Sequence, residues 1–132
     1  MNHQEIAEIL DQAARHARPT TQLAAAHQID LDAAYQIQNL CVGKKLDRGE
    51  YVTGYKLGFT NRARMEEMGV HDLIWGVLTN SMEILNQEEV DAKRWILPRA
   101  EVEIAFRISQ DIEESVGLKD ITKYIDKMAP AI

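Results

Sequence analysis

The sequence is poor in the residues that announce many familiar classes. Only one cysteine, Cys41, stands among its 132 residues. That excludes an intrachain disulfide and a multi-cysteine zinc site, and it agrees with a reducing compartment. Basic charge is also in deficit: 15 Lys and Arg against 21 Asp and Glu leave a net charge of -6. The chain therefore lacks the broad positive footprint that a phosphate backbone requires, and nucleic acid is not expected as a partner. No apolar run approaches the ~18 residues that cross a bilayer. The first residues carry Glu5, Glu8 and Asp11 rather than the basic and then apolar order of a signal peptide. The expected setting is the cytoplasm, with no membrane association.

Several catalytic signatures are missing too. The chain has no nucleophile elbow and no GxGxxG turn, and Gly43-Lys44-Lys45 has neither the upstream glycine nor the following Ser or Thr of a phosphate loop. His3, His16, His27 and His71 lack metal-pair spacing and read as surface residues. What the chain does have is an ordinary globular balance, 45% hydrophobic and 27% charged. At this length that describes one folded, soluble domain.

Composition divides the chain. Residues 1–50 are rich in alanine and glutamine, and the spacing predicts one amphipathic helix over 4–17, ended by Arg18-Pro19. A second helix is expected after the N-cap Asp30, with Ala33, Ile37, Leu40 and Cys41 on one face, fading near Asp47-Arg48-Gly49. Cys41 on that face reads as a small core residue without a chemical role. Residues 51–132 gain glycine, β-branched and aromatic side chains, so a sheet region follows. The expected pieces are a strand over 51–59, a short helix over 61–68 capped by Asn61 and stopped by Gly69, and short strands over 74–78 and 82–85. A charged connection over 86–93 leads to a long strand within 95–108. Last comes a helix with Ile121, Tyr124, Ile125 and Met128 on one face, broken by Pro130. The whole is an α+β chain.

Two patterns could carry chemistry. In AEVEIAFRI, Ala100, Val102, Ile104, Phe106 and Ile108 make one apolar face, expected to be buried, and Glu101, Glu103, Ala105 and Arg107 make the other. Two carboxylates at i and i+2 project together. They either form a solvated strand face or share a hard cation such as magnesium or manganese through oxygen ligands. In YVTGYKLGF, Lys56 falls between Gly54 and Gly58 on one strand face. It is either a snorkelling edge lysine or a group that a ligand can approach closely, and desolvation there would make it a tunable acid or base.

The ordered blocks Gly54-Tyr55-Lys56-Leu57-Gly58-Phe59-Thr60, then Met68-Gly69-Val70 with Gly76, then Pro98-Arg99-Ala100-Glu101-Val102-Glu103-Ile104-Ala105-Phe106, resemble the 2-oxo-enoate hydratase and 4-oxalocrotonate decarboxylase family of the fumarylacetoacetate hydrolase fold. The segment Ile29-Asp30-Leu31-Asp32-Ala33-Ala34-Tyr35 is similar to its N-terminal region. The resemblance implies N-terminal helices followed by a mixed β-sheet that forms part of a barrel. It also implies a magnesium- or manganese-dependent lyase for a small 2-oxo acid from aromatic meta-cleavage, working as a homo-oligomer. Glu101 and Glu103 inherit the metal-ligand role and Lys56 an active-site role, with Lys56 facing the same cleft as the two glutamates. Hydratases of the family carry an aspartate two residues before the glycine matching Gly76. Ile74 stands there, which implies decarboxylation of 4-oxalocrotonate (2-oxo-3-hexenedioate) to 2-hydroxypentadienoate. The alternative is a 2-oxopent-4-enoate hydratase, with Asp72 standing in if the loop is shifted.

Members of that family continue past the position matching Ile132 and carry a third metal carboxylate there. The expectation is therefore an N-terminal half with an incomplete site and unpaired sheet edges. The competing expectation is a truncated, non-catalytic α+β module that associates through its sheet edge.

Overall fold

A computed structural model describes residues 1–69, 71–86 and 88–132. Val70, part of the second resemblance block, and Gln87, in the charged connection, lie outside the described residues. The chain forms two compact units, Met1–Ile96 and Leu97–Ile132.

The first unit begins with α1 (His3–Arg15), where the Asn2 side chain accepts from the Glu5 N–H and the Glu5 carboxylate accepts from the Asn2 N–H, both at 2.9 Å. This reciprocal cap satisfies two donors that the first turn of a helix leaves orphaned. A single turn, α2 (Ala24–His27), precedes α3 (Leu31–Asp47). Asp30 caps α3 as expected, accepting from the Ala33 N–H at 2.8 Å. The two long helices bury Ile6, Ala7 and Ile37 between them, and Leu23, Ile29, Leu40 and Cys41 close around that core. Each large aliphatic side chain buried there contributes about 1.5–3 kcal/mol. Across the same interface Arg48 grips Asp11 with two bonds of 2.9 and 2.8 Å, and Lys44 pairs with Glu8. Asp11 is only 5% exposed, so its charge is carried into the helix contact already neutralised.

Strand β1 (Val52–Gly58) pairs antiparallel with β2 (Ile74–Thr79), with an irregularity between Val52 and Gly54. Between them α4 (Arg62–Glu67) is capped by Asn61, and Gly69 at φ 65° ends the segment, both as the sequence predicts. The expected strand over 82–85 does not form. Asn80–Met82 is a 3-10 turn instead, held because the Thr79 and Ser81 hydroxyls donate to Glu50 at 2.6 and 2.5 Å.

In the second unit β3 (Glu103–Ile108) pairs antiparallel with β4 (Ile125–Ala131). The helix expected from Ile121 is a correction: one 3-10 turn, Ile121–Tyr124, runs directly into β4. A short apolar run with Ile125 and Met128 fits helical and extended spacing alike, and a ladder to a strand far back in sequence decides between them. Pro130 is accommodated in that ladder, opposite Ile104. The strand expected within 95–108 is confined to 103–108, and both observed ladders are antiparallel where a mixed sheet was expected.

Candidate active-site residues

Lys56 projects from the middle of β1, and the ladder sets Gly76 of β2 directly opposite it. Side chains opposite one another share a face, so Lys56 stands among Gly54, Gly58 and Gly76, with Ile74 and Leu78 as its larger neighbours across the strand pair. Around Gly54 nothing lies within 4 Å of where a Cβ would be, whereas at Gly58 a Cβ would come within 2.9 Å of the Ile74 side chain. The open space beside Lys56 thus lies toward Gly54. Lys56 itself is exposed.

Helix α3 fixes the strand that carries Gly76. The Gln38 side-chain amide receives the Val77 N–H at 3.1 Å and donates to the Trp75 carbonyl at 3.4 Å, so it brackets Gly76 as a neighbouring strand would. Tyr35, one turn earlier, accepts the Trp75 N–H at 3.2 Å and stacks on the Trp75 ring at 5.0 Å, while Tyr55 meets that ring edge-on at 5.8 Å. These are positioning residues for the Lys56 strand pair, and sequence reading passed over both Gln38 and Tyr35. Their i, i+3 spacing on a helix whose other face was already assigned to the core was the available signal.

Glu101 and Glu103 belong to the second unit. Glu103 opens β3 and is half-buried; Glu101 lies two residues before the strand and is exposed. On β3 and β4, Ile104, Phe106, Met128 and Pro130 share one face, and Glu103, Ala105, Arg107, Lys127, Ala129 and Ala131 the other. The separation of polar and apolar faces is as the alternation predicts, but the apolar face is not a buried one: Phe106 is 53% exposed, Ile104 64%, Met128 74%, and the preceding Val102 92%. A two-stranded ribbon has no second layer of its own. On the polar side Arg107 holds Asp126 through a 2.8 Å bond and a second, shorter one, and this guanidinium keeps the Asp126 carboxyl below its ordinary range.

The donor chemistry of Glu101 and Glu103 suits a hard divalent cation, which takes oxygen ligands. Their number does not fill its shell, and among the described residues no group of three His, Cys, Asp or Glu side chains is placed to hold a metal ion. The residues present therefore fit part of such a centre. The Cys41 thiol sits 3.7 Å from the Ala7 carbonyl in the helix core, where burial pushes its pKa up, in keeping with a structural residue. Among the described residues no helix is long and apolar enough to cross a membrane.

Comparison with profiles of known protein families finds no match. Comparison with individual proteins does. The chain is 36% identical over 132 residues to a 4-oxalocrotonate decarboxylase from a Pseudomonas species, an alignment covering all of this chain and 52% of that one. It is 27% identical, also over 132 residues, to the 2-oxo-hept-4-ene-1,7-dioate hydratase of Escherichia coli, covering 98% of this chain and 49% of that one. Among solved structures, the 4-oxalocrotonate decarboxylase of Pseudomonas putida G7, complexed with calcium and acetate, superposes with a TM-score of 0.91 at 25% identity, over 97% of this chain and 50% of that chain. The same enzyme complexed with magnesium and adipate matches equally, with a TM-score of 0.91. The chain spans about half the length of these relatives, and over that half it belongs to the family of 4-oxalocrotonate decarboxylases and 2-oxo-enoate hydratases.

Proposed function

We propose that the chain carries the Lys56 and Glu101/Glu103 portion of a divalent-metal-dependent lyase site for 2-oxo acids, and that its reaction is decarboxylation of 4-oxalocrotonate to 2-hydroxypentadienoate. The observation that carries this reading is the 36% identity to a 4-oxalocrotonate decarboxylase along the entire chain, with Ile74 at the start of β2. An apolar residue there supplies no acid to deliver water, and loss of carbon dioxide needs none.

Glu101 and Glu103 would hold magnesium or manganese. A hard cation so held supplies positive charge beside the C1 carboxylate and C2 keto oxygens of a 2-oxo acid, where negative charge builds as carbon dioxide leaves. Lys56 brings an ammonium on a flexible stem to a strip of sheet that is open on its Gly54 side, so a planar conjugated acid can approach the backbone there. From that position Lys56 steadies developing charge or moves a proton. The reading takes the chain as part of the barrel-like sheet of the fumarylacetoacetate hydrolase fold, in a homo-oligomer.

Hydration of 2-oxopent-4-enoate is the second reading, favoured by Asp72, an acid two residues before Ile74. Product analysis separates the two: carbon dioxide release from 4-oxalocrotonate supports the first, and water addition to 2-hydroxypentadienoate supports the second. Because two carboxylates leave a cation mostly water-ligated, the 132-residue chain alone is expected to turn over little or no substrate, as a non-catalytic module would. Isothermal titration with magnesium distinguishes the metal reading from that module. Weak binding that disappears in Glu103→Gln supports it, and identical titrations of the two proteins reject the ligand role.

A further inference from the structure

The β1–β2 pair carries little of its own that selects its register. The face with Lys56 holds Gly54, Gly58 and Gly76, and glycine-rich strands have few cross-strand side-chain pairs to tell one pairing from the next. The connection, residues 59–73, is too long to act as a hairpin turn. Tyr51 and Asn80 are tied by the Tyr51 N–H to Asn80 Oδ1 at 2.9 Å and the Asn80 N–H to the Tyr51 carbonyl at 3.0 Å, but the irregularity between Val52 and Gly54 separates that tie from the ladder at Lys56. Yet Lys56 is sensitive to register, because Gly76 alone among the residues of β2 lacks a side chain. A slip of one residue sets Trp75 or Val77 opposite Lys56, and a slip of two sets Ile74 or Leu78 there.

We propose that Gln38 and Tyr35 are positioning residues that set the register of β2 against β1, and so keep Gly76 and no bulkier residue opposite Lys56. Helix α3 ends at Asp47 and β1 begins at Val52, so residues 48–51 tether the helix covalently to β1. The same helix grips β2: Tyr35 takes the Trp75 N–H, and Gln38 takes the Val77 N–H and reaches the Trp75 carbonyl. These three groups point to the helix because backbone polar groups alternate sides along a strand, and Gly76, set between them, turns its own toward β1. A helix fixed to one strand and bonded to named backbone groups of the other measures the offset between the two. Slipping β2 by one residue turns those groups away from Tyr35 and Gln38, and slipping it by two carries them along the strand past both side chains. The consequence for Lys56 as an active-site group rests on the lyase reading above, whereas the register itself does not.

The test reads the register by nuclear magnetic resonance on the 132-residue chain, without metal or substrate, so its failure and that of the lyase reading are separate results. In the parent, Tyr55 faces Val77 and Leu57 faces Trp75 as pairs whose Hα atoms meet. Tyr35→Phe combined with Gln38→Met keeps both side-chain shapes and removes all three bonds to β2. The expected result is loss of intensity in both Hα–Hα contacts and the appearance of shifted ones, such as Tyr55 with Gly76 or Leu78. Ile37→Val loosens the helix core one residue away and should keep the parent contacts, which separates register from stability. Parent contacts at full strength in the double variant would overturn the proposal, as would their loss with no shifted pairing or the same shift in Ile37→Val. Should the double variant not fold, Gln38→Met alone decides by the same criteria.

Discussion

Lys56 on β1 and Gly76 on β2 face one another directly across an antiparallel ladder, so the strand that carries the lysine also meets a third glycine, one that its own sequence does not contain. The strip around Lys56 is nonetheless uneven. Gly54 borders open space, and Gly58 is packed under Ile74.

That unevenness gives a pair of substitutions with opposite outcomes. Gly58→Ala forces a Cβ to within 2.9 Å of Ile74 Cγ1, so the side chain or the strand must shift, at a cost of about 1–3 kcal/mol. Gly54→Ala meets nothing and restricts the unfolded chain, so it should be neutral or stabilising by up to about 1 kcal/mol. Urea unfolding followed by tryptophan fluorescence measures both. Adding Ile74→Ala to Gly58→Ala should recover part of the loss, which a double-mutant cycle reads directly.

A second expectation concerns the helix pair. Arg48 is about one-third exposed, but its partner Asp11 is buried, so the two substitutions that break the pair are not equivalent. Arg48→Met strands a carboxylate in the helix contact and should cost about 2–3 kcal/mol. Arg48→Met combined with Asp11→Leu removes both charges and should restore much of that stability. Thermal unfolding of the single and double variants checks the order. Equal stability of the Arg48→Met protein and the parent would show that water reaches Asp11.

The parts of the fold that the sequence announces are those decided locally. Asp30, Asn61 and Gly69 each act on a backbone group within a turn of themselves, and each does in the structure what its residue type and position indicate. Lys56 between Gly54 and Gly58 was legible for the same reason, since strand alternation needs no knowledge of the partner. The pairing of β3 with β4 was not, because Ile125 and Met128 suit a helix until Phe106 is set opposite Met128. Nor was the role of Gln38, whose amide matters only once β2 presents the Trp75 carbonyl and the Val77 N–H to it. Glu101 and Glu103 were legible as a pair, but the alternation that suggested a strand from residue 100 begins at Glu103.

The final expectation is a pH dependence centred on Glu50, which ties the end of α3 to the end of β2. Burial pushes its pKa up, but the hydroxyl bonds from Ser81 and Thr79, with the positive charges of Lys45 and Arg48, outweigh that and hold the carboxyl below its ordinary 4.5. The folded state therefore binds this proton less readily than the unfolded chain does. Stability from Glu50 is complete above about pH 4.5 and is lost as the pH falls through the lowered folded value. Glu50→Gln keeps an acceptor for the two hydroxyls but cannot titrate. The difference in urea midpoint between parent and Glu50→Gln should thus be constant from about pH 7 to about pH 5 and shrink toward about pH 3, because the parent alone loses this contribution. Glu8 and Asp126 are also held low by their basic partners, but they are common to both proteins and cancel in the difference. A difference that stays flat over the whole range would show that the Thr79 and Ser81 hydroxyls hold the Glu50 side chain equally well when it is neutral.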